Sequence, residues 1–419
     1  MNNLLEKTKE FFRARLFIVF MLGFASGVPL ALISSVLTIR LSEVGIQIGK
    51  IGLFALVWLP YSFKFLWAPL LDEIKLPILH KFLGQRRSWM LLCQLLLPAF
   101  ICLLGIQNPG HGLQYYALVA IFIAFLSATQ DIVVDAYRIN ILPAKIQGFG
   151  ASVAVFGYRA GLYIAGVMPL IFAQSLSWKL AYIISASFMV VGIVATLISP
   201  EPKADKRQDI STTFSLKNFF TPFKDLLRID QIYRTLAFVV LFKLGDAMAG
   251  VLTNTFLLAK GFTKLEIVAV VKTLGLGATY IGLLLGGIIA YRLPIKHALF
   301  TAGILQMLSN LLFVYQDQVG HDNVALIITI TGENIATGIG AVVMIGYLSN
   351  LCDKKFAATQ YALFASLAAI SRNILSGFSG FIADSFGWSN FFIISTIAAV
   401  PALLILQTIN FKSLMPKVR

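Results

Sequence analysis

Charge is scarce in this chain. Asp, Glu, Lys and Arg make up 13% of its 419 residues, whereas apolar side chains make up 58%. A soluble domain carries roughly 25% charged residues, so an ordinary soluble enzyme is excluded as the frame. Cysteine is nearly absent. Cys93, Cys102 and Cys352 form no CxxC pair and lie in or beside apolar blocks, which suits packing residues in a reducing compartment. The histidines, His80, His111, His297 and His321, fall in loops or, for His297, at the very edge of an apolar block. That leaves no His/Cys metal cluster. It also leaves no imidazole base inside a bilayer, which counts against a membrane-embedded transferase. No GxxxxGK[ST] stretch occurs, so an ATP-hydrolysing P-loop is excluded. No cofactor or metal is expected.

The apolar residues are gathered into twelve blocks, at 16–39, 50–71, 89–106, 115–135, 148–173, 178–198, 235–258, 265–290, 296–314, 323–350, 358–383 and 388–409. Blocks of about 20 apolar residues suffice to cross the hydrocarbon core. The first is too long for the 7–15-residue apolar region of a signal peptide, so no cleaved leader is expected. Orientation follows from basic residues. With the N-terminus in the cytoplasm, 24 of the 34 lysines and arginines fall in cytoplasmic segments and 5 in outer loops. This positive-inside split places both termini in the cytoplasm. Because the basic residues are divided among many short loops, nucleic acid is not an expected partner. The bilayer is. Residues 199–234 form the longest loop. Within it Phe219, Phe220, Phe223, Leu226, Leu227 and Ile232 recur at helical spacing beside Lys217, Lys224 and Arg228, the pattern of an amphipathic helix on the inner membrane face. The organisation expected is therefore an all-α integral membrane protein: a six-helix half (1–198), a linker (199–234) and a second six-helix half (235–419).

The halves echo each other. Thr129-Gln130-Asp131 on the fourth span matches Gly332-Glu333-Asn334 on the tenth, and Tyr158-Arg159 on the fifth matches Ser371-Arg372 on the eleventh. Two six-helix halves in parallel repeat are the layout of major-facilitator transporters, with the solute site near the midplane. Setting aside the first two positions of each block, nine ionisable residues lie inside the spans: Lys64, Asp131, Asp135, Arg159, Lys243, Asp246, Lys272, Glu333 and Arg372. Each costs about 2.5–3.5 kcal/mol at a helix centre, which makes function the default reading. Asp131 has no basic residue within a turn of its own helix, which suits a carboxylate that takes up and releases protons. Asp246, Glu333 and Asp135 are the further proton-coupling candidates. Asp135 lies three residues before Arg138, so a paired helix-end acid is its plainer reading. Lys243 and Asp246 share a helix face and read either as a structural ion pair or as site residues. Arg159 and Arg372 read either as bidentate anion ligands or as latches to Glu333 or Asp131. Lys64 reads as a ligand or as a lysine snorkelling to the surface, and Lys272 as a ligand near the outer face. Gln130 and Asn334 complete the substrate-binding candidates. Asp72 ends the second span and Gly84-Gln85-Arg86-Arg87 opens the third, so Asp72, Arg86 and Arg87 are candidates for an inner gate. A channel would need a filter segment, which is not seen.

Several segments form an ordered set: Gly23-Phe24-Ala25-Ser26-Gly27-Val28-Pro29-Leu30-Ala31-Leu32, Phe63-Lys64-Phe65-Leu66-Trp67-Ala68-Pro69-Leu70-Leu71-Asp72, Ser127-Ala128-Thr129-Gln130-Asp131-Ile132-Val133, Phe242-Lys243-Leu244-Gly245-Asp246-Ala247, Lys272-Thr273-Leu274-Gly275-Leu276 and Ala358-Thr359-Gln360-Tyr361-Ala362-Leu363. Together they resemble the motifs of AmpG-type muropeptide permeases, a branch of the major facilitator superfamily. Pro69 departs from the usual facilitator loop motif, which has glycine there. The resemblance implies proton-coupled import of N-acetylglucosamine–anhydro-N-acetylmuramic acid peptides, from cell-wall turnover, across the bacterial inner membrane. It further implies a cavity lined by the first, fourth, seventh and tenth spans. The expected partners are a small anionic or zwitterionic glycopeptide and protons, with the chain acting as a monomer. Relatives that carry acetyl-coenzyme A keep another anionic solute open.

Overall fold

The computed structural model describes residues 2–110, 112–202 and 216–411, without the side chains of 2–12, 48, 49, 52, 55, 216–218 and 370–376. His111, the Arg372 and Lys217 side chains and linker residues 203–215 therefore lie outside the described residues.

Every regular element among the described residues is helical. A helix satisfies its own backbone donors and acceptors, which hydrocarbon cannot do for it. Among the described residues, ten helices are long and apolar enough to cross a membrane: Arg13–Glu43, Leu79–Ile106, Leu113–Ile141, Ala144–Ser175, Trp178–Ile198, Ile232–Ala259, Lys264–Arg292, Ile295–Val319, Asn323–Leu351 and Trp388–Thr408. They coincide with ten of the expected blocks. The second block is helical in short pieces instead, and the eleventh is broken once. The second runs Ile48–Leu53, Phe54–Trp58, Leu59–Phe63, Lys64–Leu66 and Ala68–Glu73, the second and fourth pieces being 3₁₀ turns. Pro60 and Pro69 each stand in the first turn of a new piece, where a missing N–H costs nothing. The eleventh block changes to a 3₁₀ turn at Ser376–Phe378 between Ala357–Leu375 and Ser379–Phe386. The amphipathic segment of the linker forms the helix Leu216–Leu227.

The chain groups into two units. One comprises Met1–Pro143, Val153–Phe223 and Cys352–Leu363; the other comprises Ala144–Ser152, Lys224–Leu351 and Phe364–Arg419. In the first unit, Val28, Leu32, Leu97, Ile101, Ile123, Ala124 and Tyr182 build one buried core. Glycine sets its closest approach. A side chain at Gly27 would meet the Tyr158 carbonyl at 2.1 Å, and one at Gly161 would meet the Phe24 carbonyl at 2.1 Å, so the first and fifth spans cross backbone to backbone. In the second unit the core is aromatic. Phe256, Phe313 and Phe392 lie with ring centroids 4.8 to 6.2 Å apart, and Trp388 joins them. There Gly282 and Gly286 set the closest approach of the eighth and tenth spans. Both lie against the backbone of Ile335 and Ile339.

Arg40 counts among the outer-loop charges in the sequence, yet it is 5% exposed. It donates to the carbonyls of Leu104 (2.8 Å), Gly105 (3.1 Å) and Gln107 (2.5 Å). Those carbonyls end the third span, where a cation complements the helix dipole. Tyr116, Trp178 and Tyr182 surround the guanidinium with their rings, an arrangement that shields the charge without a carboxylate.

Three intramembrane lysines sit where helical geometry changes. Lys64 begins a 3₁₀ turn, Lys243 separates Ile232–Phe242 from Leu244–Ala259, and Lys272 lies in the π-helical stretch Val268–Leu274. Such interruptions free backbone groups from the regular ladder and concentrate at functional sites.

Candidate functional site

In the first unit a polar cluster draws on three spans. The first contributes Ser26, the broken second contributes Tyr61 and Lys64, and the fourth contributes Ser127, Gln130 and Asp131. Gln130 is fully buried and donates to Ser26 Oγ at 3.4 Å. Asp131 interacts electrostatically with Lys64, with Asp135 one turn along its own helix, and with Tyr61. Lys64 is 9% exposed, so it is turned inward rather than snorkelling. Asp131 Oδ1 and Gln130 Oε1 are buried and have no hydrogen-bond partner among the described residues. Nearly all buried polar atoms in folded proteins are paired. These two acceptors, with the equally unpaired hydroxyls of Tyr61 and Ser127, leave hydrogen-bonding capacity in this cluster that no described residue fills. Thr129, next to them, is committed elsewhere: it accepts from Trp67 Nε1 at 3.0 Å.

The second unit holds a cluster on the seventh, eighth and tenth spans. The Thr337 hydroxyl lies 2.6 Å from Asp246 Oδ1 and 3.2 Å from Glu333 Oε1. A hydroxyl has one proton to give, so Thr337 either shares it between the two acids or accepts from one of them. Asn334 donates to Glu333 Oε2 at 2.8 Å and accepts from Thr279 at 2.9 Å. Lys243 Nζ lies 4.0 Å from Asp246 Oδ2, as their spacing implied. Lys272 is exposed, and Arg159 is half-buried in the middle of its helix.

A third cluster, again within the first unit, gathers the gate candidates. Asp72 accepts from Arg86 Nη2 at 2.6 Å with both side chains about 5% exposed or less. It also accepts from the backbone of Ala358 (3.3 Å) and from the backbone and hydroxyl of Thr359 (2.8 and 2.6 Å). Asp72 thus caps the N-terminus of the eleventh span, where a negative charge is favoured. Arg87 takes no part in that pairing. It donates to the carbonyls of Thr196 and Leu197 that end the sixth span. Asp135 is paired with Arg138 at 3.3 Å, and the Arg138 guanidinium lies over the Tyr361 ring.

Glu201, read from the sequence as a loop residue, accepts from the backbone N–H of Arg86 (3.0 Å) and Arg87 (3.4 Å). It caps the third span just after Gly84 turns the chain with φ +79°. Burial holds the Glu201 carboxyl above its ordinary value of 4.5, against the two N–H groups that pull it down. The folded protein then binds this proton more tightly than the unfolded chain does. Its contribution to stability is full below 4.5 and is lost as pH rises through the folded value. Glu201→Gln is expected to remove that slope, so its melting temperature should fall less than the wild type's between about pH 4.5 and 7. Parallel melting profiles in the same detergent would overturn this.

Of the residues named from the sequence, Asp131, Gln130 and Lys64 come together in one cluster and Asp72 and Arg86 in another; Ser26, Thr337, Thr359, Arg40 and Glu201 join such contacts without having been named as candidates. Ser26 and Thr359 lie inside the motif segments, and Thr337 is one turn from Glu333; those were the available signals. For Glu201 there was none.

Comparison with known proteins follows the same lines. The family model of the Major Facilitator Superfamily matches residues 15–372. A Rickettsia conorii transporter named AmpG 4 is 38% identical over 409 residues, spanning 97% of this chain and 99% of its own. The anhydromuropeptide permease of Escherichia coli K12 is 39% identical over 401 residues, spanning 94% and 80% respectively. Among solved structures, the major facilitator transporter FucP in its outward conformation superposes with a TM-score of 0.71 at 14% identity, over 94% of this chain and 98% of that one. The proton:xylose symporter XylE gives 0.66 at 10% identity, over 96% of each. At such identities the likeness is one of fold.

Proposed function

This chain belongs to the major facilitator superfamily and, within it, to the family of AmpG-type permeases, and from that premise we propose that it imports anhydro-muropeptides by proton symport. It is a transporter and not an enzyme. The reading places it in the bacterial inner membrane as a monomer, with twelve spans and cytoplasmic termini, the second and eleventh crossing as segmented helices. Transport is by alternating access around a midplane site.

The observation that carries the proposal is the buried Oδ1 of Asp131, which has no hydrogen-bond partner among the described residues and belongs to an acid that interacts with Lys64. An acid in that setting serves transport by gaining and losing a proton as solute binds and leaves. Asp131 is the proton carrier in this reading. Asp246 and Glu333, bridged by Thr337, form a second proton-holding position. Asp135, held by Arg138, is left with a supporting role. Lys64, Lys243, Lys272, Arg159, Arg372, Gln130 and Asn334 supply cations and amides for an anionic glycopeptide. Asp72 and Arg86 form the inner gate, and Arg87 fastens the sixth span behind it.

The test is uptake of labelled anhydro-muropeptide by cells that lack their own permease, with and without a protonophore. Protonophore-sensitive accumulation above the empty-vector level is expected. No uptake, with the protein present in the membrane, would remove the muropeptide assignment, and acetyl-coenzyme A would be tried next.

A further inference from the structure

A cavity of about 600 Å³ lies in the first unit between the starts of the second and fourth spans. Its walls include Leu53, Val57, Ala117 and Ile121, and its two long polar side chains are Lys50 and Gln114. Phe54, 7% exposed, lines it and packs against Tyr116 with ring centroids 6.4 Å apart. The polar groups sit at one end. Lys50 lies in the first turn of Ile48–Leu53, and Gln114 in the first turn of Leu113–Ile141. Val57 and Ile121 lie seven residues further into each span, about 10 Å deeper at 1.5 Å per residue. That is most of one leaflet of a hydrocarbon core roughly 30 Å thick.

This polarity gradient selects its occupant. A sugar or peptide in the deep part would leave its hydroxyls or amides without partners, which is costly. An amphiphile with one anionic head and an apolar tail leaves nothing unpaired. Lys50 is exposed and forms no ion pair among the described residues. Arg40, under its three rings, and Lys260, paired with Asp317 at 2.5 Å, are engaged elsewhere, and among the cavity-lining residues Lys50 is the one cation. We infer that this groove holds one anionic phospholipid of the outer leaflet, its phosphate on Lys50 and an acyl chain along Val57, Ala117 and Ile121. The leaflet follows from the positive-inside orientation. The site is separate from the Asp131 cluster, so its test does not depend on the transported solute.

The experiment is native mass spectrometry of the full-length protein, released by mild detergent from vesicles of equal phosphatidylglycerol and phosphatidylcholine. The wild type should retain one phosphatidylglycerol preferentially. Lys50→Gln should still retain lipid but lose that preference by about fivefold, the weight of one lysine at an anionic surface. Ala117→Trp, which fills the groove, should lose the bound lipid. Gly112→Leu at the mouth, where a side chain meets nothing within 4 Å, should do the same if Ala117→Trp fails to fold. Equal retention of both lipids by the wild type, or unchanged retention in the filled variants, would overturn the inference. So would displacement of the lipid by inorganic phosphate alone, which would make this an anion site with no need of a tail.

Discussion

Replacing Asp131 by asparagine is expected to abolish accumulation of solute against its gradient while leaving exchange of solute for solute in place. Asparagine keeps the size of the side chain and its hydrogen-bonding reach, but it cannot ionise. The effect is therefore on coupling and not on packing. The size of the loss follows from the driving force. One proton moving down 100 mV is worth about 2.3 kcal/mol. At about 1.4 kcal/mol per tenfold, that sustains roughly a 40-fold gradient of an uncharged solute. In the variant the ratio of inside to outside concentration should collapse to about one. Radiolabelled uptake into energised membrane vesicles measures the first quantity, and counterflow in de-energised vesicles measures the second. An Asp131→Asn protein that still concentrates solute would sink the assignment and move attention to Asp246 and Glu333. One that neither concentrates nor exchanges, although folded, would make Asp131 a binding residue instead.

Removing Asp72 should have the largest effect on stability. Its carboxylate serves both Arg86 and the first turn of the eleventh span, and it is 4% exposed. Asp72→Ala leaves the Arg86 guanidinium buried without an anion, and breaking a buried pair from one side costs about 3–5 kcal/mol. It also strips the backbone N–H of Thr359 of its acceptor. Part of the loss should be restored by Arg86→Met in the same chain, because the stranded charge is then gone. Thermal melting of the purified single and double variants provides the measurement. A single variant that melts with the wild type would mean that the ion pair contributes nothing to the fold.

The apolar blocks were legible because the bilayer demands length and composition that nothing else in the chain can supply. Ten spans fall where those blocks predicted them. The breaks within spans were less legible. Pro60 and Pro69 signal the segmented second span, but no proline or glycine precedes the interruption at Lys243, and the π-helical turn at Lys272 follows from packing that a single sequence does not display. Charges inside the spans were found for the same reason that they are costly: they stand out against apolar neighbours. Their partners were not found when they came from elsewhere in the chain. The i,i+3 pairs Asp135–Arg138 and Lys243–Asp246 could be read from spacing. The inward turn of Lys64 toward Asp131 joins two different spans and could not. Nor could the division of labour between Arg86 and Arg87. Adjacent residues on a helix point about 100° apart, so one reaches Asp72 and the other reaches the end of the sixth span.

The cap supplied by Glu201 has a consequence for how the chain is made. The third span turns at Gly84, and the carboxylate that accepts from the Arg86 N–H just after it stands 115 residues beyond that arginine. At a synthesis rate of roughly 5–20 residues per second, the ribosome needs about 6 to 20 s to deliver it. For that interval the third span is in the membrane with its first donors turned to water. The first unit reaches its final form only when the sixth span has been inserted and its end has folded back. A ribosome stalled just before residue 201 would hold five spans in the membrane with the third still open at its basic end, a state that alkylation of a cysteine placed at Gln85 would detect.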